Sequence, residues 1–454
     1  MKYLIFLLSF TIALAAQVSA QAQTSREVQA PLTLEECMIY AVENSPITNI
    51  QEAQNRIAAQ NYTEAIARLL PGVSGSIGAG FNFGRSLGDD NIYADANSFN
   101  NSYGLNGGLT IFSGLRNINS IRMANVNRQT GRHQLEQKSD EVAYATMEAY
   151  FNVLYYRETV VLAEQQLEES RANLRRTERM EELGLKGAPD VAELRSKEAA
   201  DSYVLTQERN RLAIGLIVLK QQMNFPLDED LQIAPYDFDG MIAGTAESAA
   251  DIFERASGSL PRALAAGSTV ESSKIDLQIA RGGRYPSLMV SGGYSTGFFR
   301  NLDGSEYDPF RAQFSNKRGY AVGLSLDIPI FNRLSTQSDI RRTRHRYTIA
   351  RIEHDQTMNT LYRDIEQAVA DMNGGAHAHT QAARQSEYSA VAYEVNRRKY
   401  EEGLISALEL HTSSNMLMKA RTDELNSRLG YILKKRMVDY YRGIPFIGAE
   451  QYEQ

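Results

Sequence analysis

The chain is written twice. Gly184-Leu185, Ile111-Phe112 and Pro226 recur 219 positions later as Gly403-Leu404, Ile330-Phe331 and Pro445, while Pro46 and Pro71 recur 215 positions later as Pro261 and Pro286. A four-residue length difference therefore falls between Pro71 and Ile111, in a stretch that holds a polar loop. There such a change costs little. Copies of about 200 residues are far longer than the roughly 20 to 50 residue periods of ordinary solenoids. A duplicated half on this scale points to function in what two halves build together.

The first twenty residues carry one lysine, an apolar core from Leu4 to Ala16, and Val18-Ser19-Ala20 before Gln21. This pattern predicts a secretory leader over 1–20. No other stretch approaches the ~18 to 20 apolar residues that a membrane helix needs. The single cysteine, Cys37, suggests neither a disulfide nor a lipid-bearing N-terminal cysteine. A formal charge of −7, with basic residues scattered among acids, gives no reason to expect nucleic acid as a partner.

Residues 115–183 and 334–402 each run 69 positions without proline, interrupted only by Gly131 in the first and Gly374-Gly375 in the second. At 1.5 Å per residue each predicts a helix about 100 Å long. Shorter helices are predicted over 33–70, 189–224, 247–281 and 406–441. Thr33 and Glu36 have the spacing of a capping box, and Ser45-Pro46 can end one helix and open the next. Between Glu164 and Glu182 ten of nineteen residues are charged, leaving Leu167, Leu174 and Met180 as a thin seam. A hollow wall of helices and a solvated two-stranded coiled coil both predict such a seam.

Between the short and long helices the period changes to two. Val73, Ile77, Ala79, Phe81 and Phe83 alternate with Ser74, Ser76, Gly78, Gly80 and Asn82, and Tyr320, Val322, Leu324, Leu326 and Ile328 alternate with Ala321, Gly323, Ser325 and Asp327. Strands are predicted over 72–84, 102–112, 288–298 and 319–329. Each has the length and the apolar and small-or-polar faces of a tilted strand crossing a bilayer; the alternative is a soluble sandwich with one wet face. Four strands cannot close a barrel, and open edges are not tolerated in lipid. The membrane reading therefore requires several copies.

Chemistry-bearing patterns are weak. His377 and His379 do not share a helix face, and the sequence holds no paired Cys-x-x-Cys, His-Glu-x-x-His or phosphate loop. Tyr150, Phe151, Tyr155 and Tyr156 read as helix packing. Neither a metal nor a cofactor is expected, and the chain does not read as an enzyme.

Leu32-Thr33-Leu34-Glu35-Glu36 through Ala41 and Asn44-Ser45-Pro46, Leu70-Pro71 before the first strand, Ile111-Phe112-Ser113-Gly114 before the long helix, and the paired glycine turns resemble the TolC-like outer-membrane efflux proteins. The resemblance covers nearly all of the chain after the leader. It implies an α+β membrane protein, a homotrimer whose four strands per chain form a twelve-strand β-barrel in outer-membrane lipid, continued by a long periplasmic α-helical barrel. The halves would then be 21–226 and 246–442, with 227–245 and the tail 443–454 in an equatorial belt. The implied function is a passive exit duct, opened at its periplasmic tip by an adaptor (membrane fusion) protein and an inner-membrane RND or ABC transporter. Protein secretion of type I is an alternative cargo, and a non-conducting periplasmic tether is an alternative function.

The resemblance also places the tip at the turns 184–189 and 403–406. Asp190 and Tyr400 match a carboxylate and phenol pair that links neighbouring helices in the closed state, and Glu409 matches one of two acidic positions that ring the constriction. The second acidic position falls on Thr412, and an arginine of the closed link is replaced by Ile405. Asp190 and Glu409 also suit the first turns of helices, where acids complement the dipole. Gly184, Lys186, Gly187, Gly403, Leu404 and Ile405 are the turn residues expected to meet the adaptor, with Lys186, Gly187, Leu404 and Ile405 exposed.

Overall fold

A computed structural model describes residues 31–87, 93–95, 97–237, 240–302 and 306–448. The leader expected over 1–20 and the end of the tail, 449–454, lie outside these residues. Helix α1, Leu34–Asn44, begins at a reciprocal cap. The Glu36 N–H donates to Thr33 Oγ1 at 3.3 Å, and the Thr33 N–H donates to Glu36 Oε2 at 2.7 Å. Ser45 is extended (φ −65°, ψ 131°), and its hydroxyl accepts from Ile47 N–H at the start of α2, Pro46–Ala67.

Four strands follow the period-two pattern: β1, Gly72–Asn82; β4, Ser98–Ser113; β5, Ser287–Asn301; and β6, Gly319–Asp327. They form one antiparallel sheet in the order β1-β4-β5-β6. The short strands β2, Arg85–Leu87, and β3, Tyr93–Asp95, pair with each other between β1 and β4. Leu105 faces Tyr294 and Leu109 faces Val290 across β4 and β5, and the register shifts between Thr110 and Phe112. Apolar side chains thus share one face. Among the described residues no second sheet covers it, and Ile77 and Val322 are 81% and 88% exposed. A soluble sandwich would have buried them.

Each strand stands over its own helix. Helix α3, Arg116–Glu182, follows β4, and its partner α4, Ala188–Met223, returns along it. Then come α5, Ala249–Ser259, and α6, Pro261–Gly282, which leads into β5. One uninterrupted helix was expected over 247–281. It breaks because Leu260 is extended (φ −71°, ψ 136°) before Pro261. A proline disfavours helical geometry in the residue before it, so the junction repeats Ser45-Pro46 of the first half.

The connection from β5 to β6 folds a short helix, α7, Phe310–Asn316, that the sequence reading missed. Gln313 accepts from Phe299 N–H at 3.0 Å and donates to its carbonyl at 2.8 Å, so α7 caps the edge of β5 beyond the end of β6. Finally α8, Ser335–Glu401, and α9, Ala407–Tyr441, repeat the long hairpin. α2 packs on α3, and α6 packs on both α3 and α8. The helix order α2, α3, α6, α8 therefore copies the strand order above it, with β1 and α2 open at one edge and β6 and α8 at the other.

The core is broad only at mid-height. Leu34, Cys37 and Ala41 of α1 meet Met147, Tyr150 and Phe151 of α3, with Leu231 and Ile233 of the belt and Tyr431 and Ile432 of α9. Tyr150 donates to Ala234 O at 2.7 Å and Tyr431 to Ala243 O at 2.8 Å, which ties the connection 227–245 to the helices at two points. Toward the tip the seam narrows to two small clusters, one around Val160, Ala163, Leu167 and Leu205, the other around Leu194, Tyr393, Tyr400 and Leu410.

Candidate functional site

The two hairpin turns are the same structure, one repeat apart. Gly184 and Gly403 take φ of +73° and +77°. These glycines let each long helix end by donating Leu185 N–H to Met180 O at 2.8 Å and Leu404 N–H to Lys399 O at 2.9 Å. A positive φ is cheap for glycine and costly for any residue with a Cβ. The next helices open with an acid in the first turn. Asp190 Oδ2 accepts from Gly187 N–H at 3.3 Å, and Glu409 N–H donates to Ser406 Oγ at 3.2 Å. Asp190 and Glu409 stand at equivalent positions of the two repeats.

Tyr400 is buried, and its phenol shares a 2.8 Å hydrogen bond with Thr177 Oγ1, not with Asp190. The expected pairing of the phenol with Asp190 is therefore not the bond made within one chain, because that carboxylate turns back to its own helix end. Burial raises the Tyr400 pKa, opposed by the Thr177 hydrogen bond and assisted by the nearby charges of Asp190 and Glu193. Lys186 lies over the Tyr400 ring at 4.6 Å, so it is half-buried and not an exposed turn residue. Ile405 likewise packs into the cluster around Tyr400. The large apolar side chains exposed at the tip are Leu183, Leu185 and Leu404, of which only Leu404 was expected from sequence to meet the adaptor. Gly184, Gly187 and Gly403 are exposed beside them.

The more extensive feature is a set of bonds tying the first hairpin, α3 and α4, to the second, α8 and α9. Tyr393 donates to Glu169 Oε1 at 2.5 Å, Arg176 pairs with Glu401, and Gln166 donates to Ser414 Oγ at 2.6 Å. Burial, and then the bond to Glu169, raises the Tyr393 pKa. Lys197 is buried in an ion pair with Asp201 at 2.6 Å and also donates to Asn415 Oδ1 at 2.8 Å. Ser170 donates to the other oxygen of Asp201. His411 lies near this group, and burial first, then Lys197, lowers its pKa. None of these partners was singled out from sequence. The available signal was Asp201 and Glu208, charges at helical spacing within the apolar seam of Val191, Leu194 and Leu205.

On α9 the opposite face is unpartnered. Leu408, Glu409, Thr412 and Met416 are exposed, and the Thr412 hydroxyl donates only to its own helix, at Leu408 O. Over 408–416 the face presents one carboxylate per chain, where two acidic positions would have presented two.

The model of the family described as outer membrane efflux protein matches residues 41–223 and 258–433, most of both halves. Outer membrane protein TolC of Vibrio cholerae is 24% identical over 406 residues, covering 87% of this chain and 86% of the relative. Pyoverdine export outer membrane protein OpmQ of Pseudomonas aeruginosa is 24% identical over 401 residues, covering 86% of this chain and 80% of the relative. The solved structure of CusC superposes with a TM-score of 0.78 at 15% identity, covering 94% of this chain and 96% of that one.

Proposed function

This chain belongs to the outer membrane efflux protein family, and we propose from that premise that it is the passive exit duct of a tripartite export system. It is an outer-membrane protein and not an enzyme. Its fold is that of a duplicated chain whose four strands form one third of a trimeric twelve-strand barrel, continued by a helical barrel. One observation carries the reading as a duct: an uncovered apolar sheet face continues directly into helices of 67 residues, so lipid-spanning wall and periplasmic wall are one surface.

The gate in this reading is the tip. Bonds from Gln166, Glu169, Arg176 and Thr177 to the second hairpin hold it against the first, and opening requires them to break. Asp190 fixes the start of α4, Tyr400 anchors the second hairpin, and Glu409 of each copy contributes to an acidic ring that favours cations. Leu185 and Leu404, with Gly184, Gly187 and Gly403 around them, form the end on which a periplasmic adaptor docks. Lys186 and Ile405 support that surface from beneath. An inner-membrane transporter of RND or ABC type supplies the energy and selects the cargo. The similarity to a pyoverdine exporter favours small molecules over secreted proteins.

Planar-bilayer recording tests this. The wild-type trimer should conduct weakly at rest, and Glu409→Ala should increase the leak or weaken block by multivalent cations. Unchanged leak and block would remove Glu409 from the gate. No conductance from any variant, including those that cut the ties between hairpins, would make the protein a tether.

A further inference from the structure

The two edges left open in one copy match residue for residue. We propose that a second copy of this chain seats its β1 against β6 in a single register, with Tyr320 opposite Phe83 of the second copy, Val322 opposite its Phe81, Leu324 opposite its Ala79 and Leu326 opposite its Ile77. The inference rests on the trimeric barrel of the family and is independent of the gate. The barrel requires the two edges to meet, but that requirement leaves the facing residues open.

The register follows from the duplication. β6 is the second-half equivalent of β4, 219 positions on, and β1 is the first-half equivalent of β5, 215 positions back. The junction of β6 with the next β1 therefore repeats the junction of β4 with β5, which the structure gives. Leu105 facing Tyr294 becomes Leu324 facing Ala79, and Tyr103 facing Thr296 becomes Val322 facing Phe81. On the small-residue face, Gly108 facing Ser291 becomes Asp327 facing Ser76.

Further features of the two edges agree with this register. Val322, Leu324, Leu326, Ile77 and Phe81 are all strongly exposed in one copy, and this register sets apolar against apolar; a one-residue slip would turn one row into the lumen. At the outer end the strands finish within two residues of each other, since Gly319 begins β6 and Asn82, the last residue of β1, falls opposite Ala321. The irregularity in β4 between Thr110 and Phe112 maps onto Pro329 to Phe331. Proline lacks the N–H of a ladder and is tolerated in sheets at edges and bulges. The helices below repeat the relation: Ile50 and Ile57 on α2 and Ile349 and Ile352 on α8 are exposed at the two open edges, as residues covered on assembly would be in one copy.

Paired cysteines test the register in outer membranes under mild oxidation. Directly opposed residues are about 4.5 to 5.5 Å apart at Cα, whereas diagonal neighbours are about 7 to 8 Å apart, and a disulfide needs roughly 4.4 to 6.8 Å. Asp327→Cys with Ser76→Cys should give a covalent trimer on a non-reducing denaturing gel, about tenfold faster than Asp327→Cys with Ser74→Cys. Cys37 is buried and does not compete. Tyr320→Cys with Phe83→Cys repeats the test on the lipid face should the first pair fail to reach the membrane. Preferential linkage through Ser74 would overturn the register alone. Uncrosslinked chain from every pair, in variants that keep wild-type helical circular dichroism and membrane fractionation, would overturn the edge-to-edge contact itself.

Discussion

Cys37 is the single cysteine of the chain and is fully buried among α1, α3 and the belt. Burial, with a smaller contribution from the Glu36 charge, pushes its thiol up to about 12. In the unfolded chain the thiol ionises near 8.5. The folded state therefore holds the proton more tightly, so its contribution to stability is complete below about pH 8.5 and is lost as pH rises toward about 12. We predict that Cys37→Ala flattens the alkaline limb of the stability profile over that window, measured by denaturant midpoints at successive pH values. An unchanged slope would show that Cys37 does not govern it. Residues with local roles, such as Thr33 and Glu36 or Asp190, are visible in sequence because their partners lie three positions away. Thr177, Glu169 and Lys197 were not, because their partners lie more than 200 positions away and depend on how one hairpin sits beside the other.

At the scale of elements, the glycine turns show how much a repeat offset conveys. Gly184 and Gly403 were placed by their recurrence 219 positions apart, by the proline-free runs before them and by the family resemblance, and both adopt the left-handed geometry that closes a long helix. Gly403→Ala should strain that turn at a cost of about 1 kcal/mol. The amide of Leu404, which donates to Lys399 O, should then exchange with solvent several-fold faster in hydrogen-exchange mass spectrometry. Gly187→Ala is the control, because φ there is −98°, a value any residue adopts. Equal protection in both variants would mean that the turn does not depend on glycine. The 215-residue offset carried the break at Leu260, since Pro261 repeats Pro46, yet one helix was expected over 247–281; the backbone preference before proline prevailed. Helix α7 had no local signal to read. It is seven residues long, and its order comes from Gln313 on the edge of β5 and from Phe314 packed 5.4 Å from Tyr103.

For the whole molecule, the distribution of core determines what can move. The mid-height cluster joins both halves through many large buried side chains, whereas near the tip the halves meet through small clusters and a few polar bonds. Opening should then be a swing of the distal second hairpin away from the first, pivoting at the belt, with the polar bonds setting the closed-state free energy. Each such hydrogen bond contributes roughly 1 kcal/mol net, or about a fivefold change in an equilibrium. Tyr393→Phe and Tyr400→Phe remove the bonds to Glu169 and Thr177 while keeping the buried rings. The two positions are seven residues apart on α8, about 10 Å, far enough for their effects to add. Each single variant should raise the opening equilibrium of each subunit's hairpin about fivefold, and the double variant about 25-fold, read in planar bilayers without a change in single-channel conductance because neither residue lines the barrel. A double variant no more open than wild type would mean that these ties do not hold the tip shut. Altered conductance of the open channel would mean that the bore itself, and not only the gate, had been rearranged.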